Sequence, residues 1–262
     1  MPNLIPVSPE TLSNKSWRRP KDLSHGSQDT FCPLTLSELA RAAVSFPLAF
    51  VRNEGSFTIV ALQSFELGKN LFTSPDGRWL SSHIPVSYST YPFRLSPIDG
   101  GGAVLCIVNE NDCVLDDESQ HPFFGSEGSL DPLVNEVFKT LSQAYNESSA
   151  LAGIISLLQD MDLIVPWEIA IPKGANMRKI EGLYKIDEGI LNNLADSDFL
   201  KLRSSAALVP AHCQLISMQL LPELIKLDQA YSDLVASENA LSSDKLHVGL
   251  SVDSGTLDLS NL

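Results

Sequence analysis

The sequence has few basic residues for its length. It contains 18 Lys and Arg against 32 Asp and Glu, which gives a formal net charge of −14 at pH 7. Its basic residues form no cluster larger than Arg18–Arg19. A nucleic-acid-binding protein normally presents a basic face that neutralises phosphates, and anionic membrane surfaces attract basic segments in the same way. We therefore expect neither nucleic acid nor a membrane surface among the partners of this chain.

Long hydrophobic runs are also missing. The longest apolar stretches, AVLCIV and LAGIISLL, are far shorter than the ~20 residues that a membrane-spanning helix needs. The first residues, MPNLIPVSPETLSNKSWRR, carry early prolines and late basic residues, which is not the pattern of a secretory signal. These features predict a soluble cytoplasmic protein with no membrane span. Export to the cell surface by a leaderless route would leave no trace in these features.

Residue patterns that usually mark chemistry are sparse as well. Without an export signal, we expect the four cysteines to be reduced and to serve as small buried hydrophobes; they are Cys32, Cys106, Cys113 and Cys213. The five histidines form no closely spaced ligand pair, so we expect no metal site. The stretch DGGGAV leads into a strand rather than a helix, and it therefore does not match a phosphate-binding loop. No cofactor is expected.

The order of the patterns predicts a single mixed α+β domain. Hairpin-forming apolar runs fill the N-terminal half, and helical patterns fill the middle and the C-terminal part. Strands do not alternate one for one with helices, which argues against a doubly wound sheet. We expect an extended N-terminal arm over residues 1–30 that docks through Trp17, a folded domain over residues 31–240 and a loose tail over residues 241–262.

Local signals add detail to this prediction. Thr35 and Glu38 have the spacing of a capping box at the start of a short helix, and a turn at 53–55 predicts a hairpin. The apolar run at 103–108 is expected to form a second hairpin with a return strand at 113–115. Asp131 and Pro132 are expected to start a long helix that breaks near residues 146–149.

The most distinctive stretch is GKNLFTSPDGRWLSSHIPVSYSTYPF, residues 68–93. Its SPDG sequence has the composition of a tight turn. The surrounding aromatic and arginine side chains could line a pocket for a small molecule, a peptide or a partner protein. The alternative is an aromatic corner that fixes the loop between two hairpins. The candidate binding residues are Asn70, Phe72, Arg78, Trp79, His83, Tyr91, Phe93 and Arg94.

A second candidate cluster lies in GLYKIDEGIL, where Tyr184 precedes Asp187 and Glu188. An Asp at the start of a helix is typical of a cap, and a Glu in the first turn is favourable for the helix dipole. The alternative is an enzyme acting on a small molecule or an amino-acid residue, with Asp187, Glu188 or His83 as acid or base. No catalytic motif accompanies these residues, so enzymatic activity stays open and a non-enzymatic role is preferred.

Two long segments resemble the SapC family of bacterial proteins. The first carries the family's G-x-N-L-F, D-G-x-W and Y-P-F patterns; the matching residues are Gly68, Asn70, Leu71, Phe72, Asp76, Gly77, Arg78, Trp79, Pro85, Tyr91, Pro92 and Phe93. The second carries G-L-Y-x-I-D-E and F-L-x-L-R; the matching residues are Gly182, Leu183, Tyr184, Ile186, Asp187, Glu188, Leu191, Phe199, Leu200, Leu202, Arg203, Leu215 and Ser217. Many family members have arginines just before Y-P-F, where this chain has Ser89 and Thr90. An anion-binding role for those arginines therefore does not transfer to this chain.

The resemblance spans roughly residues 30–230 and implies little about activity. The family takes its name from surface-layer-associated proteins, and its members often occur beside genes for tryptophan-halogenase-like proteins and outer-membrane receptors. It implies no catalytic residue. We therefore expect a SapC-like accessory or binding protein that uses its aromatic and arginine region. A modifying enzyme and a surface-layer structural component are the alternatives.

Overall fold

The computed structural model describes residues 3–98, 100–110, 113–116, 120–125, 128–173 and 176–250. Within these ranges the chain forms thirteen strands, most of them short: β1 (Leu4–Pro6), β2 (Ser16–Trp17), β3 (Phe31–Pro33), β4 (Leu48–Asn53), β5 (Ser56–Leu62), β6 (Phe93–Pro97), β7 (Ala103–Val108), β8 (Val114–Leu115), β9 (His121–Pro122), β10 (Ile164–Pro166), β11 (Ile169–Lys173), β12 (Asn176–Ile180) and β13 (Leu183–Ile186). The same ranges hold eight helices: α1 (Pro9–Leu12), α2 (Leu39–Ala42), α3 (Val86–Ser89), α4 (Pro132–Asp160), α5 (Glu188–Asn192), α6 (Asp196–Ser204), α7 (Leu208–Ser217) and α8 (Leu221–Leu250). Strands predominate before α4 and helices predominate after β13, which confirms the predicted mixed α+β fold.

The main sheet has five antiparallel strands in the order β10–β13–β4–β5–β3. Its central hairpin, β4–β5, turns at Glu54 and Gly55, whose φ angles are 49° and 90°. Two consecutive residues with positive φ match the right-handed twist of the strands that they join, so the predicted hairpin is confirmed. Consecutive residues at 48–50 and 59–62 are buried, which shows that both faces of this hairpin are covered.

A smaller sheet, β1–β7–β6, covers a second core that the N-terminal segment helps to close. Strand β1 pairs with β7, and β2 pairs with both β8 and β9. Trp17 is 1% exposed and meets the edge of Phe93 at a ring-centroid distance of 4.8 Å. The segment that the sequence predicts as an arm therefore contributes strands and a buried aromatic to the folded body from residue 3 onward.

Helix α4 connects the two cores. Asp131 caps it by accepting a hydrogen bond from Leu133 N–H at 2.9 Å, and Pro132 occupies its first turn. Val134 and Val137 pack in the smaller core, whereas Leu151 and other residues of the C-terminal half pack in the larger one. The helix is continuous through residues 146–149, so the predicted break is wrong.

Two further expectations need correction. Strand β7 pairs with β6 and β1, and β8 pairs with β2, so the predicted hairpin between 103–108 and 113–115 does not form and does not bring Cys106 and Cys113 together. Helix α8 extends to Leu250, so the predicted loose tail is helical over residues 241–250. Its remainder, residues 251–262, lies outside the described residues.

Candidate functional site

The SPDG stretch forms the predicted turn and also docks the N-terminal segment. Thr73 and Trp79 pair across the turn, and Ser74 N–H donates to Arg78 O at 2.9 Å. Gly77 has a φ of +81°, and a Cβ at this position would lie 2.4 Å from the side chain of Asp22. Leu23 N–H donates to Gly77 O at 3.0 Å. Gly77 therefore supplies both the turn conformation and the space in which Asp22 packs.

Trp79 belongs to an aromatic cluster rather than to an open surface. Its ring centroid lies 5.4 Å from that of Tyr88 and about 6 Å from those of Phe46 and Phe72. The indole N–H donates to His83 O at 2.8 Å, which satisfies the polar end of a half-buried side chain. These contacts fix the path of residues 80–91, which we call the connector segment.

Buried Glu38 attaches the connector segment to helix α2. Its Oε2 accepts hydrogen bonds from Thr35 N–H at 2.9 Å and from the Thr35 hydroxyl at 2.7 Å, and this is the predicted capping box. Its Oε1 accepts from Val86 N–H at 2.7 Å and lies 3.3 Å from His83 Nε2. Both carboxylate oxygens are therefore occupied by groups from two distant parts of the chain.

Asn70 and Tyr88 form a buried polar network behind the connector segment. Asn70 Nδ2 donates to Gly26 O at 2.8 Å, and Asn70 Oδ1 accepts from Phe72 N–H at 2.9 Å. The Tyr88 hydroxyl donates to Gln63 Oε1 at 2.8 Å. Burial raises the pKa of Tyr88 well above its usual value, so this hydroxyl stays protonated and acts as a donor.

The other predicted residues of the first set lie in different environments. Arg78 is exposed and pairs with Asp76 at 2.7 Å. Tyr91 is buried under the ring of His25, which stacks on it at a centroid distance of 4.0 Å and an interplanar angle of 11°. Phe93 is fully buried in the smaller core, and Arg94 is exposed on β6. The structure thus brings most of the predicted aromatics into cores or clusters and leaves the arginines outside.

Three adjoining cavities follow the connector segment, and together we call them the connector groove. The first, of about 500 Å³, is bounded by Glu38, Arg41, His83, Ile84 and Ser89. The second, of about 300 Å³, shares Ile84 and Ser89 with the first. The third, of about 270 Å³, shares six lining residues with the second; these are Arg19, Pro20, Lys21, Asp22, His25 and Tyr91. Because they share these lining residues, the three cavities adjoin one another along the connector segment.

Exposed cations line both ends of the groove, where Glu38 at one end and Asp22 at the other also line it. Arg19 and Lys21 are exposed at one end and Arg41 at the other, and none of the three forms an ion pair within the described part of the chain. Burial lowers the pKa of His25 below its usual 6.5, and Arg94 lowers it further. The carboxylate of Asp22 is held by Ser24, whose N–H donates to it at 2.9 Å. At the Arg19 end, where three cations line the third cavity with Asp22, the groove therefore attracts negative charge.

Reasoning from the sequence missed the cationic part of this surface. The signal was the run RRPK, residues 18–21, which the sequence predicts to be part of an extended arm. The hydrogen bond from Arg18 N–H to Cys113 O and the docking of residues 22–24 on the SPDG turn bring this run beside Tyr91. No local pattern predicts that contact, because its two partners lie in segments that are far apart in the chain.

The second predicted cluster forms structural contacts. Tyr184 packs against Phe57 with ring centroids 4.8 Å apart. Asp187 caps α5 by accepting from Ile190 N–H at 2.9 Å, as predicted for a cap, and Glu188 is exposed in the first turn of that helix. His83 contacts Glu38, and the cavity that it lines is not bounded by either acid of the second cluster.

Fold and surface together describe a mixed α+β protein with a basic groove built on an aromatic scaffold. The chain belongs to the SapC family, because the SapC family model matches residues 7–224. This match confirms the resemblance found in the sequence and extends it to most of the N-terminal segment. No curated protein matches the chain, and no solved structure matches it either. Among the helices in the described ranges, none is sufficiently long and apolar to cross a membrane.

Proposed function

We propose that this SapC-family protein is a binding protein that holds an anionic ligand in the connector groove. The observation that carries the proposal is the exposed cation pair Arg19 and Lys21 beside the cavities at Tyr91, in a chain whose net charge is −14. Together with Arg18, these residues give the third cavity three cations against one acid, Asp22. A cavity that places them beside an aromatic ring suits a ligand with a negative group and an apolar part.

The scaffold behind the groove supports binding because its polar groups are held by hydrogen bonds within the protein. Trp79, Tyr88 and Asn70 make their hydrogen bonds within the protein. A preorganised site loses little conformational entropy when it binds, which favours affinity. In this proposal the predicted aromatic residues serve as the support of the site, and the contacts to the ligand come from the cations and from the cavity wall formed by His25 and Tyr91.

The environment of Glu38 favours binding over acid–base catalysis. Its carboxylate is buried, and both of its oxygens accept hydrogen bonds from the protein. A general base must be able to reach a proton on the substrate, and these contacts occupy the lone pairs that would do so. This geometry supports a positioning role for Glu38 at the wall of the first cavity.

Phenyl phosphate is a suitable probe because it combines a dianion with an aromatic ring. We expect its titration into ¹⁵N-labelled protein to shift the amide signals of residues 18–25 and 88–91 in a saturable way. Benzyl alcohol, which has the ring without the charge, should give no saturable shifts. An absence of saturable shifts in both segments up to about 10 mM phenyl phosphate, well above a millimolar Kd, would overturn the proposal.

The matched variants are Arg19→Glu and Lys179→Glu. Each replaces an exposed cation by an anion, but Lys179 lies on β12 and lines another cavity. We expect Arg19→Glu to weaken phenyl phosphate binding by about fivefold or more, since it exchanges an attraction for a repulsion. Lys179→Glu should bind as the unmodified chain does. If both variants weakened phenyl phosphate binding equally, binding would depend only on the total charge of the protein and not on the position of Arg19.

A further inference from the structure

The connector groove has exposed cations at both ends and an exposed apolar side chain between them. Arg41 lies beside the first cavity, and Arg19 and Lys21 lie beside the second and third. Between these ends the shared wall carries Ile84, which is 43% exposed. A ligand confined to one cavity would use only one of the two ends.

The first cavity adds a second apolar contact. Val44 is 66% exposed at its edge, so apolar surface continues from the connector segment towards Arg41. Exposed apolar side chains that are flanked by charged ones commonly mark an interaction surface. Along the groove, the exposed side chains are therefore cationic at one end, apolar in the middle and cationic at the other end.

From this order we infer that the groove binds an extended acidic peptide segment of a partner protein, with apolar residues between two acidic positions. The inference rests on the proposed function and deepens it, because it adds Arg41 and the first cavity to the site. An extended peptide spans about 3.3 Å per residue, so a segment of a few residues can reach from one cavity into the next. Carboxylates would meet Arg41 at one end and Arg19 and Lys21 at the other, and apolar side chains would cover Ile84 and Val44.

The acidic surface of the protein does not prevent this association at physiological ionic strength. Charges more than about 8 Å apart are largely screened at 0.15 M salt. Of the 32 Asp and Glu residues, Glu38 and Asp22 line the three cavities. Both accept hydrogen bonds from the protein, whereas Arg19 and Arg41 are exposed to an acidic segment. Specificity against other acidic segments would come from the spacing of the two basic ends.

A pair of fluorescein-labelled peptides tests the inference by fluorescence anisotropy. The long peptide, EDLVDE, carries acids on both sides of an apolar pair, and the short peptide, EDL, carries them on one side. We expect the long peptide to bind at least about tenfold more tightly than the short one, because binding at two linked sites adds free energy. The scrambled peptide EEDDLV should bind like the short one. Equal affinity of all three peptides would overturn the inference.

Charge reversal at the two ends separates this inference from the proposed function. Arg41→Glu should weaken the long peptide by about five- to tenfold and leave the phenyl phosphate shifts at residues 18–25 unchanged. Arg19→Glu should weaken both probes. If Arg41→Glu leaves the long peptide unaffected while Arg19→Glu weakens both probes, the inference fails and the proposed function stands. If neither variant changes either probe, both fail.

An anionic membrane surface is the alternative occupant of the groove, because its headgroups also present several negative charges close together. We expect vesicles of phosphatidylserine and phosphatidylcholine not to bind the protein and not to displace the long peptide. Vesicle binding that is lost in Arg19→Glu, together with no binding of the long peptide, would overturn the peptide inference in favour of a lipid surface. The variant Lys179→Glu serves as the control in every assay, since its charge change matches and its position is outside the groove.

Discussion

At the scale of single residues, the carboxylate of Glu38 joins two segments that are far apart in the sequence. It accepts hydrogen bonds from Thr35 in the capping box and from Val86 in the connector segment. Glu38 is only 4% exposed, so these donors depend on its carboxylate for their hydrogen bonds. The stability of the chain and the position of the connector segment therefore depend on the same side chain.

We expect Glu38→Ala to lower the free energy of unfolding by about 3 kcal/mol, because each buried donor that loses its acceptor costs about 1–3 kcal/mol. Glu38→Gln keeps an acceptor oxygen and should cost about 1–2 kcal/mol. Urea denaturation followed by circular dichroism measures both values. The exposed Glu168 provides the control, and Glu168→Ala should stay within about 0.5 kcal/mol of the unmodified chain. A Glu38→Ala variant as stable as this control would contradict the role of Glu38.

His25 should make the stability of the protein depend on pH. Burial lowers its pKa in the folded state below its usual 6.5, so the unfolded chain binds more protons at this site as the pH falls below 6.5. Stability linked to His25 is therefore complete above pH 6.5 and declines as the pH decreases towards the folded-state pKa. The decline should be less than about 1 kcal/mol per pH unit, because partial exposure reduces the limit of 1.36 kcal/mol per unit.

The variant His25→Phe isolates this effect, since it keeps an aromatic ring against Tyr91 without a titratable group. We expect its free energy of unfolding, measured by urea denaturation at pH 7.5, 6.5 and 5.5, to decrease less steeply than that of the unmodified chain. Carboxylates affect both proteins equally and cancel in the comparison. Identical slopes would show that His25 titrates in the same way in the folded and unfolded states.

Single residues also show how far the sequence can predict the site. The distinctiveness of Trp79, Tyr91 and the residues around them was visible in the sequence, but their environment was not. Asn70 donates a hydrogen bond to Gly26 O, and the ring of His25 covers Tyr91. Neither partner lies near Asn70 or Tyr91 in the sequence. The basic residues of the groove were hidden for the same reason, since their significance arises only when residues 18–25 pack beside Tyr91.

At the scale of elements, the SPDG turn was predicted correctly and its second role was not. The φ of +81° at Gly77 follows from local turn chemistry, whereas the packing of Asp22 against Gly77 is a long-range contact. Strand pairing shows the same limit. Strand β7 was predicted from its apolar run, but its partners β1 and β6 could not be identified, because an apolar run does not specify which edge it meets.

The variant Gly77→Ala should lose stability for two separate reasons. A positive φ costs about 1 kcal/mol for a residue with a side chain, and the added Cβ would lie 2.4 Å from Asp22. We expect the free energy of unfolding to fall by about 2–3 kcal/mol in urea denaturation. Gly68→Ala is the control, because Gly68 has a φ of +74° and nothing within 4 Å of its Cβ position. It should lose about 1 kcal/mol; equal losses would exclude a contribution from the contact with Asp22.

At the scale of the whole molecule, helix α4 makes the two cores interdependent. Val134 and Val137 lie in the smaller core, and residues of the same helix, including Leu158, lie in the larger one. A helix is cooperative along its length, so loss of packing at one end weakens the order at the other. The fold class and the family could be predicted from the sequence, because they depend on patterns within segments. The coupling of the two cores through α4 could not be predicted, since it depends on which core each half of the helix packs against.

We expect Val134→Ala to shift the unfolding of both cores equally, with a loss of about 1–2 kcal/mol. Trp17 reports on the smaller core and Trp167 on the larger one. Trp79→Phe combined with Trp167→Phe leaves Trp17 as the reporter, and Trp79→Phe combined with Trp17→Phe leaves Trp167. Within each background, the change in urea midpoint caused by Val134→Ala should be the same in fluorescence. A shift seen at Trp17 alone would show that the cores unfold independently.

The pairing of the N-terminal strands also has a consequence during protein synthesis. Strands β1 and β2 leave the ribosome before their partners β7, β8 and β9, all of which have been made only when the chain reaches Pro122. Domains usually begin to fold from the N-terminus as they emerge, yet the first residues of this chain must wait with Trp17 uncovered. The hairpin β4–β5 can form in the meantime. The end of the groove that carries Arg19 and Lys21 is therefore completed only after β7, β8 and β9 have been made, because these cations follow β2 in the chain.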